Sequence, residues 1–433
     1  MADDSENFVL TVDIGTTTIR SVVYDSKCKE RGSYQEKVNT IYTTRNDDEV
    51  LVEIEPEQLF LQFLRVIKKA YETLPPNAHV DVGLCTQRNS IVLWNKRTLK
   101  EETRIICWND KRANNKCHNL NNSFLLKGAY NTLIMKIIGF PTDMLFPIVD
   151  SNLKDMNKLP IIDSSHIGKE FTISSIIADQ QAAMFGCGTW ERGDVKITLG
   201  TGTFVNVHTG KVPYASMSGL YPLVGWRING ETDFIAEGNA HDTAVILHWA
   251  QSIGLFNDVT ETSDIALSVN DSNGVVFIPA FCGIQTPIND ETACSGFMCI
   301  RPDTTKVHMV RAILESIAFR VYQIYAAAES EVNINKNSPV RICGGVSNNN
   351  FICQCIADLL GRKVERMTDS DHVAARGVAL LTGFSSGIWT KEKLRELVTV
   401  EDIFTPNYES RKGLLKTFQT WKKAVDRCLG FYH

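Results

Sequence analysis

The stretch VDIGTTTIRSVVYD, residues 12–25, sets an acid, a glycine and three threonines between two strand-like runs. Val9, Leu10 and Val12 form the first run; Val22, Val23 and Tyr24 form the second. Glycine and threonine are ordinary material for a hairpin turn. They are also what a phosphate needs. Gly15 lacks a Cβ, so a ligand can approach its backbone closely. Thr16, Thr17 and Thr18 offer hydroxyls beside successive backbone N–H groups, all donors for phosphate oxygens. Asp13 would face the same space and hold Mg²⁺ through water, because that ion keeps much of its hydration shell.

The pattern recurs. Residues 195–207, VKITLGTGTFVNV, place the small-residue turn Gly200-Thr201-Gly202-Thr203 between strand-like runs. Two such hairpins suggest duplicated halves that face a shared ligand, which favours phosphate binding over a chance turn. Between them lies IADQQAAMFG, residues 177–186. Asp179 there follows an apolar pair and precedes an alanine-rich helical start. One reading makes it an N-cap for free backbone donors. The other sets it at a strand end as general base for a hydroxyl. Phosphoryl transfer needs held phosphates, a metal and an acid that orients and deprotonates the attacking oxygen. In ICGGVSNNNFICQCIADLLG, residues 342–361, Gly344 and Gly345 close a strand and a helix begins near Asn349. These glycines would let backbone lie against a flat ring, with Asn349 supplying an amide, or the segment is a plain strand-to-helix turn.

A chain of 433 residues exceeds one ordinary core, so two domains are expected to position these groups. With 43% hydrophobic and 22% charged residues the composition is that of a globular protein. A net charge of −5 without a basic stripe argues against nucleic acid as a partner. No apolar run reaches the length of a membrane span and the start, MADDSENF, is acidic, so a cytoplasmic protein is expected. Twelve cysteines without a CxxC pair read as reduced, mostly buried thiols. Pro56 opens a helix carrying Leu59, Phe63, Ile67 and Tyr71 on one face. Strand patterns cover 80–85 and 91–94; Met309, Ile313, Ile317 and Val321 mark a long helix, and Phe351, Cys355 and Leu359 another that Gly361 closes. The alternation of strands and amphipathic helices gives an α/β architecture.

At these residues the chain resembles the glycerol kinase branch of the FGGY carbohydrate kinases. The likeness rests on DIGTTTIR, on TQRN with CWNDKRA behind it, on ADQQAAMFG with LGTGTF behind it, and on CGGVSNNNF. HMVRAILESIAFR, residues 308–320, resembles a further signature helix, and the blocks follow family order along nearly the whole chain. The resemblance implies two ribonuclease-H-like domains of the actin/hexokinase/Hsp70 superfamily around an interdomain cleft, divided as residues 1–178 and 179–433. It implies an ATP-dependent polyol kinase, with glycerol as the acceptor. Nucleotide contacts then fall on Gly15, Thr16, Thr17, Thr18, Arg20, Gly200, Thr201, Gly202, Ala244, Gly345 and Asn349, and the metal-associated acid on Asp13. The base falls on Asp179; Arg88, Asn89, Gln180 and Phe204 fall on the polyol.

Three features depart from the family pattern. Asn89 stands where a glutamate usually binds glycerol hydroxyls, keeping hydrogen bonding without charge. Ala244 replaces a glycine near the phosphates, and His248 replaces a glutamine, read here as a helix histidine. Arg88 and Asp179 are only 91 positions apart, whereas the family has a longer segment that includes a tyrosine contact to the polyol. KRANNKCHNLNNSFLLKG runs into AYNTLIMKIIGFPTDMLFP, so the first domain is expected to be shortened between about 126 and 136, and Tyr130 inherits no role. A second reading therefore stays open: a non-catalytic nucleotide-binding or regulatory relative with an incomplete polyol pocket. An actin-like or chaperone-type ATPase would share the hairpins but leaves TQRN and ADQQ unexplained. Whether the chain forms a homo-oligomer is left open.

Overall fold

The computed structural model describes residues 7–432 apart from 47–48, 76–77, 96, 99, 111 and 114–160. The expected junction near 126–136, with Tyr130, lies outside the described residues. The chain divides into two compact units. The first takes the residues up to Gly188 together with Ala374–Val398; the second takes Thr189–Val373 and the residues from Thr399 onward. The division expected at 178/179 thus falls ten residues later, and one late stretch returns to the first unit.

The first unit is built on β1 (Asn7–Ile14), β2 (Thr18–Tyr24) and β3 (Glu30–Lys37), followed by β4 (Thr40–Asn46) and β5 (Glu49–Ile54). Helix α1 (Pro56–Tyr71), β6 (His79–Thr86), β7 (Ile105–Ile106), β8 (Ile161–Ile162), α2 (Ser164–Ile167), β9 (Phe171–Ala178) and α3 (Asp179–Gly186) complete its first pass. The main sheet runs β3-β2-β1-β6-β9-β8. Strands β1, β2 and β3 pair antiparallel, while β6 lies parallel to β1 and β9 parallel to β6. Leu10 and Val12 of β1, with Val82 and Leu84 of β6, join Val66 and Ile67 of α1 in one apolar core. α1 opens with proline in its first turn and has Glu57 near its start and Lys68 and Lys69 near its end, which suits the helix dipole.

The second unit holds β10 (Val195–Leu199), β11 (Thr203–Gly210), β12 (Tyr221–Ile228), β13 (Glu231–Ala240) and helices α4 (Ala244–Ser252) and α5 (Thr262–Leu267). β14 (Val276–Ile278) and β15 (Gly296–Met298) form a small pair before α6 (Lys306–Glu331), β16 (Val340–Cys343), α7 (Asn350–Leu360) and β17 (Val364–Met367). Its sheet runs β12-β13-β11-β10-β16-β17-β18, with β18 at Val400–Phe404. Five strands repeat the first unit: β13-β11-β10 antiparallel, then β16 and β17 parallel, matching β3-β2-β1 then β6 and β9. Both units are ribonuclease-H-like, and the duplication expected from the two Gly/Thr turns is present in the topology. Gly361 caps α7 in the left-handed region, as the sequence suggests.

Residues 91–94 do not form the expected strand. Ile91 bridges to Ile106 and Trp94 to Glu101, but the Thr103 hydroxyl accepts from the Leu93 N–H and interrupts the backbone ladder. Ile91, Leu93 and Trp94 are exposed, so no core rewards a longer pairing.

After β17 the chain enters α8 (Val373–Ser385) and α9 (Lys391–Leu397), and it ends in α10 (Tyr408–Cys428) of the second unit. α8 seats on the first unit's sheet and on α3. Thr382 Oγ1 lies 2.7 Å from Ser175 Oγ of β9. A Cβ on Gly83 would stand 2.1 Å from Thr382 Oγ1, and one on Gly377 only 1.8 Å from the Ala182 carbonyl oxygen. Gly377→Ala should push α8 from α3 and cost about 1–3 kcal/mol, as overpacking does. Urea unfolding measures it; an unchanged midpoint would show that the approach carries no packing.

Candidate active site

In the first unit, strand register brings the acids together. Asp13 of β1 pairs with Cys85 of β6, and Cys85 with Ile177 of β9. Paired residues project to one face of a sheet, and residues two apart share it. Asp179 follows Ile177 by two positions, as the first residue of α3. Both carboxylates act on Cys85, which is fully buried. Burial, then the charges of Asp13 and Asp179, hold that thiol well above its ordinary value.

Asp179 accepts from the Gln180 N–H at 2.7 Å, and Arg88 Nε lies 3.4 Å from the same oxygen. The preceding Ala178 is the capping residue and makes no side-chain cap, so Asp179 serves its own first turn from inside the helix. Its side chain is 42% exposed, against 16% for Arg88, so the acid is open to a ligand while the arginine backs it. Asn89 has φ +57°, a left-handed conformation that asparagine adopts more readily than glutamate. Ser90 Oγ donates to Gln87 Oε1 at 3.0 Å, and Gln87 N–H to the Ile14 carbonyl at 3.1 Å, which ties TQRN to the end of β1.

The turn at 15–17 is closed by the Gly15 N–H donating to the Thr18 carbonyl at 3.0 Å. A Cβ on Gly15 would meet that oxygen at 2.9 Å. The carbonyls of Thr16 and Thr17 accept from Thr40 Oγ1 and the Val38 N–H, at 2.8 and 2.9 Å. Acceptors are thereby engaged, while Thr17 is exposed and Thr16 and Thr18 half-buried. Arg20 stands opposite both Asp13 and Gln35, and its Nε donates to Gln35 Oε1 at 2.9 Å.

The second unit repeats the closure with the Gly200 N–H on the Gly202 carbonyl, again at 3.0 Å. A Cβ on Gly202 would lie 2.8 Å from the Ala240 carbonyl oxygen. The buried hydroxyls of Thr203 and Thr243 meet at 2.8 Å, and the Thr243 and Ala244 N–H groups both donate to the Thr201 carbonyl at 3.2 Å. Ala244 thus joins the start of α4 to the turn, while His248 is exposed on that helix. Phe204 is half-buried opposite Asn239. Gly344 has φ +95°, and a Cβ there would lie 2.4 Å from the Leu199 carbonyl oxygen, so a glycine is required beside exposed Gly345. Asn349 caps α7 through the Ile352 N–H at 3.0 Å and donates to Thr262 Oγ1 at 2.9 Å.

The Cys85 thiol, the Thr203–Thr243 pair and Gly377 are missing from the sequence-derived set. Only the strand register sets Cys85 apart from the other buried thiols, and Thr243 and Gly377 meet their partners across 40 residues or more of chain. Among the described residues no group of three or more His, Cys, Asp and Glu side chains could hold a metal, and no helix is long and apolar enough to cross a membrane.

Each ribonuclease-H-like unit thus carries a glycine-closed threonine turn whose backbone and hydroxyl donors suit a phosphate. The N-terminal domain of the FGGY family of carbohydrate kinases matches residues 8–149 and its C-terminal domain residues 195–386. Glycerol kinase 5 of Danio rerio is 34% identical, over 99% of this chain and 98% of its own length. Glycerol kinase 2 of Thermotoga maritima is 30% identical, over 98% and 99%. Among solved structures, Plasmodium falciparum glycerol kinase with ADP superposes with a TM-score of 0.81 at 22% identity, covering 99% of both chains. Gluconate kinase of Lactobacillus acidophilus gives 0.81 at 15% identity, with the same coverage. The chain belongs to the FGGY family of carbohydrate kinases, which phosphorylate an alcohol group. The alignment to the Danio rerio protein spans 528 positions, so at least 95 of them have no residue among this chain's 433.

Thr203→Val would leave the Thr243 hydroxyl buried without its partner. The second unit should lose about 1–3 kcal/mol, the usual cost of an unsatisfied buried group. Denaturant titration checks this, and an unaltered stability would show that the pair does not fasten the turn.

Proposed function

We propose that the protein transfers the γ-phosphoryl group of ATP to a hydroxyl of a small polyol, with glycerol giving glycerol 3-phosphate. The carrying observation is Asp179: a half-exposed carboxylate at the first turn of α3, backed by Arg88 and one sheet register from Asp13. The names of the relatives, glycerol kinases among them, support the acceptor.

In this reading Asp179 takes the proton of the attacking hydroxyl as its oxygen bonds the γ-phosphorus and the bond to the β-phosphate oxygen breaks, releasing ADP. Arg88, Asn89 and Gln180 hold polyol hydroxyls, and Phe204 packs against its carbons. Gly15, Thr16, Thr17, Thr18 and Arg20 in the first unit, and Gly200, Thr201, Gly202, Ala244, Gly345 and Asn349 in the second, serve the nucleotide. A single carboxylate, Asp13, suits Mg²⁺, which is commonly held by one or two carboxylates plus substrate phosphates and waters. Bound there, Mg²⁺ would neutralise charge on the phosphates.

A coupled assay of ADP release tests the function. Glycerol should stimulate ADP release; no stimulation by glycerol or by other small polyols would overturn the reading. Asp179→Asn keeps size but cannot take a proton, and turnover should drop at least ~10²-fold with ATP binding retained. Near-normal turnover would leave Asp179 only its hydrogen bond within the first turn of α3. Thr16→Val and Thr201→Val should each weaken ATP binding, since a hydrogen bond to a charged group is worth about 1.5–3 kcal/mol. Calorimetry measures both, and unchanged affinity in the two folded variants would remove the phosphate cradle.

A further inference from the structure

The outer face of α10 has no part in the transfer described above. Its inner face is core: Leu414, Phe418, Trp421 and Val425 are buried, and the Trp421 indole N–H donates to the Phe277 carbonyl at 2.8 Å. Lys412, Lys416, Lys423 and Arg427 are exposed. At 3.6 residues per turn they fall within about 60° of one another and form a row about 22 Å long. Other residue types separate them along the chain, so they do not read as a basic run. Exposed Lys422 flanks the row. Glu409 pairs with Lys412 at 2.8 Å, and Asp426 is an exposed acid beside Arg427. Among the described residues no carboxylate lies within ion-pair distance of Lys416, Lys422, Lys423 or Arg427.

The chain beyond α10 is held by its backbone. The Cys428 carbonyl accepts from the Cys294 N–H at 3.0 Å, and the Tyr432 N–H donates to the Thr292 carbonyl at 2.9 Å. The Gly430 N–H donates to Asp290 Oδ2 at 2.7 Å. Held this way, Phe431 and Tyr432 are 60% and 59% exposed, with ring centroids 5.2 Å apart and planes at 85°. Exposed Glu291, next to Thr292, is the acid at this end. Unpaired cations suit anionic headgroups, and aromatic rings suit the boundary between headgroups and acyl chains. Nucleic acid fits less well, because rings at 85° offer no parallel faces to successive bases.

We propose that the outer face of α10 docks on an anionic lipid bilayer. Lys412, Lys416, Lys423 and Arg427 meet the headgroups, and Phe431 and Tyr432 enter the interface.

The test is flotation of the full chain with vesicles of phosphatidylcholine alone, or of equal parts phosphatidylcholine and phosphatidylserine. The protein should float with the anionic vesicles only, and added salt should release it. Each lysine near such a surface is worth about fivefold in affinity, so Lys416→Gln with Lys423→Gln should weaken binding about 25-fold. Glu409→Gln removes an acid from the row and should tighten binding. Phe431→Ser with Tyr432→Ser should weaken it at unchanged charge; should that pair not fold, Tyr432→Ser alone gives the comparison. No flotation with anionic vesicles would overturn the docking surface. Equal binding to both vesicle types, or full binding by the folded lysine variant, would overturn the role of the basic row. Binding to poly(U) without binding to vesicles would assign the face to nucleic acid and overturn the proposal.

Discussion

The register of three parallel strands governs the first unit. A strand's side chains alternate with a period of two, so a slip of one residue reverses every face. Slipped by one, β1 would turn Asp13 toward the core of Val66 and Ile67 and bring Val12 to the acid face. Two constraints forbid this. On one face Leu10, Val12, Val82 and Leu84 bury apolar area against α1. On the other, Gly83 leaves room for Thr382, which Ser175 meets at 2.7 Å. The acids stand at the carboxyl ends of these strands, where open α/β sheets leave space for ligands.

The second unit shows what duplication preserves and what it does not. Thr198 precedes Gly200 by two residues, as Asp13 precedes Gly15. Thr198 also pairs in parallel with a cysteine, Cys343, with oxygen and sulfur 3.5 Å apart. Strand pairing, turn closure and the neighbouring thiol are therefore shared, but the carboxylate is present in the first unit alone. A hydroxyl carries no charge for a cation and takes no proton near neutral pH. The scaffold is symmetric in topology, and the proposed acid–base chemistry belongs to one copy of it.

Local signals made much of this legible. Gly/Thr turns between strand-like runs, Pro56 ahead of a periodic helix and Gly361 after another each depend on neighbouring residues, and each appears where expected. The blocks from DIGTTTIR to CGGVSNNNF gave the family because they combine local geometry with order along the chain. What escaped depends on contacts that sequence spacing does not encode. Residues 91–94 form a strand-like apolar run, but the Thr103 hydroxyl takes the bond that pairing needs. Cys85 looks like any buried thiol until β1 lies beside β6. α8 looks like a helix of the second half, yet it closes a face of the first unit.

That return also bears on how a shorter chain keeps the acid pair. The shortening expected from the sequence falls between Arg88 and Asp179, inside the connection from β6 to β9. Parallel strands require a crossover, but its length enters stability only logarithmically once it can span the sheet. Register is instead set by what covers each face, and those residues come from elsewhere: α1 before the connection and α8 long after it. The alignment of Asp13, Cys85 and Ile177 is thus held by elements on both sides of that connection. The strand ends that carry the acids are therefore fixed by packing and not by the length of the crossover.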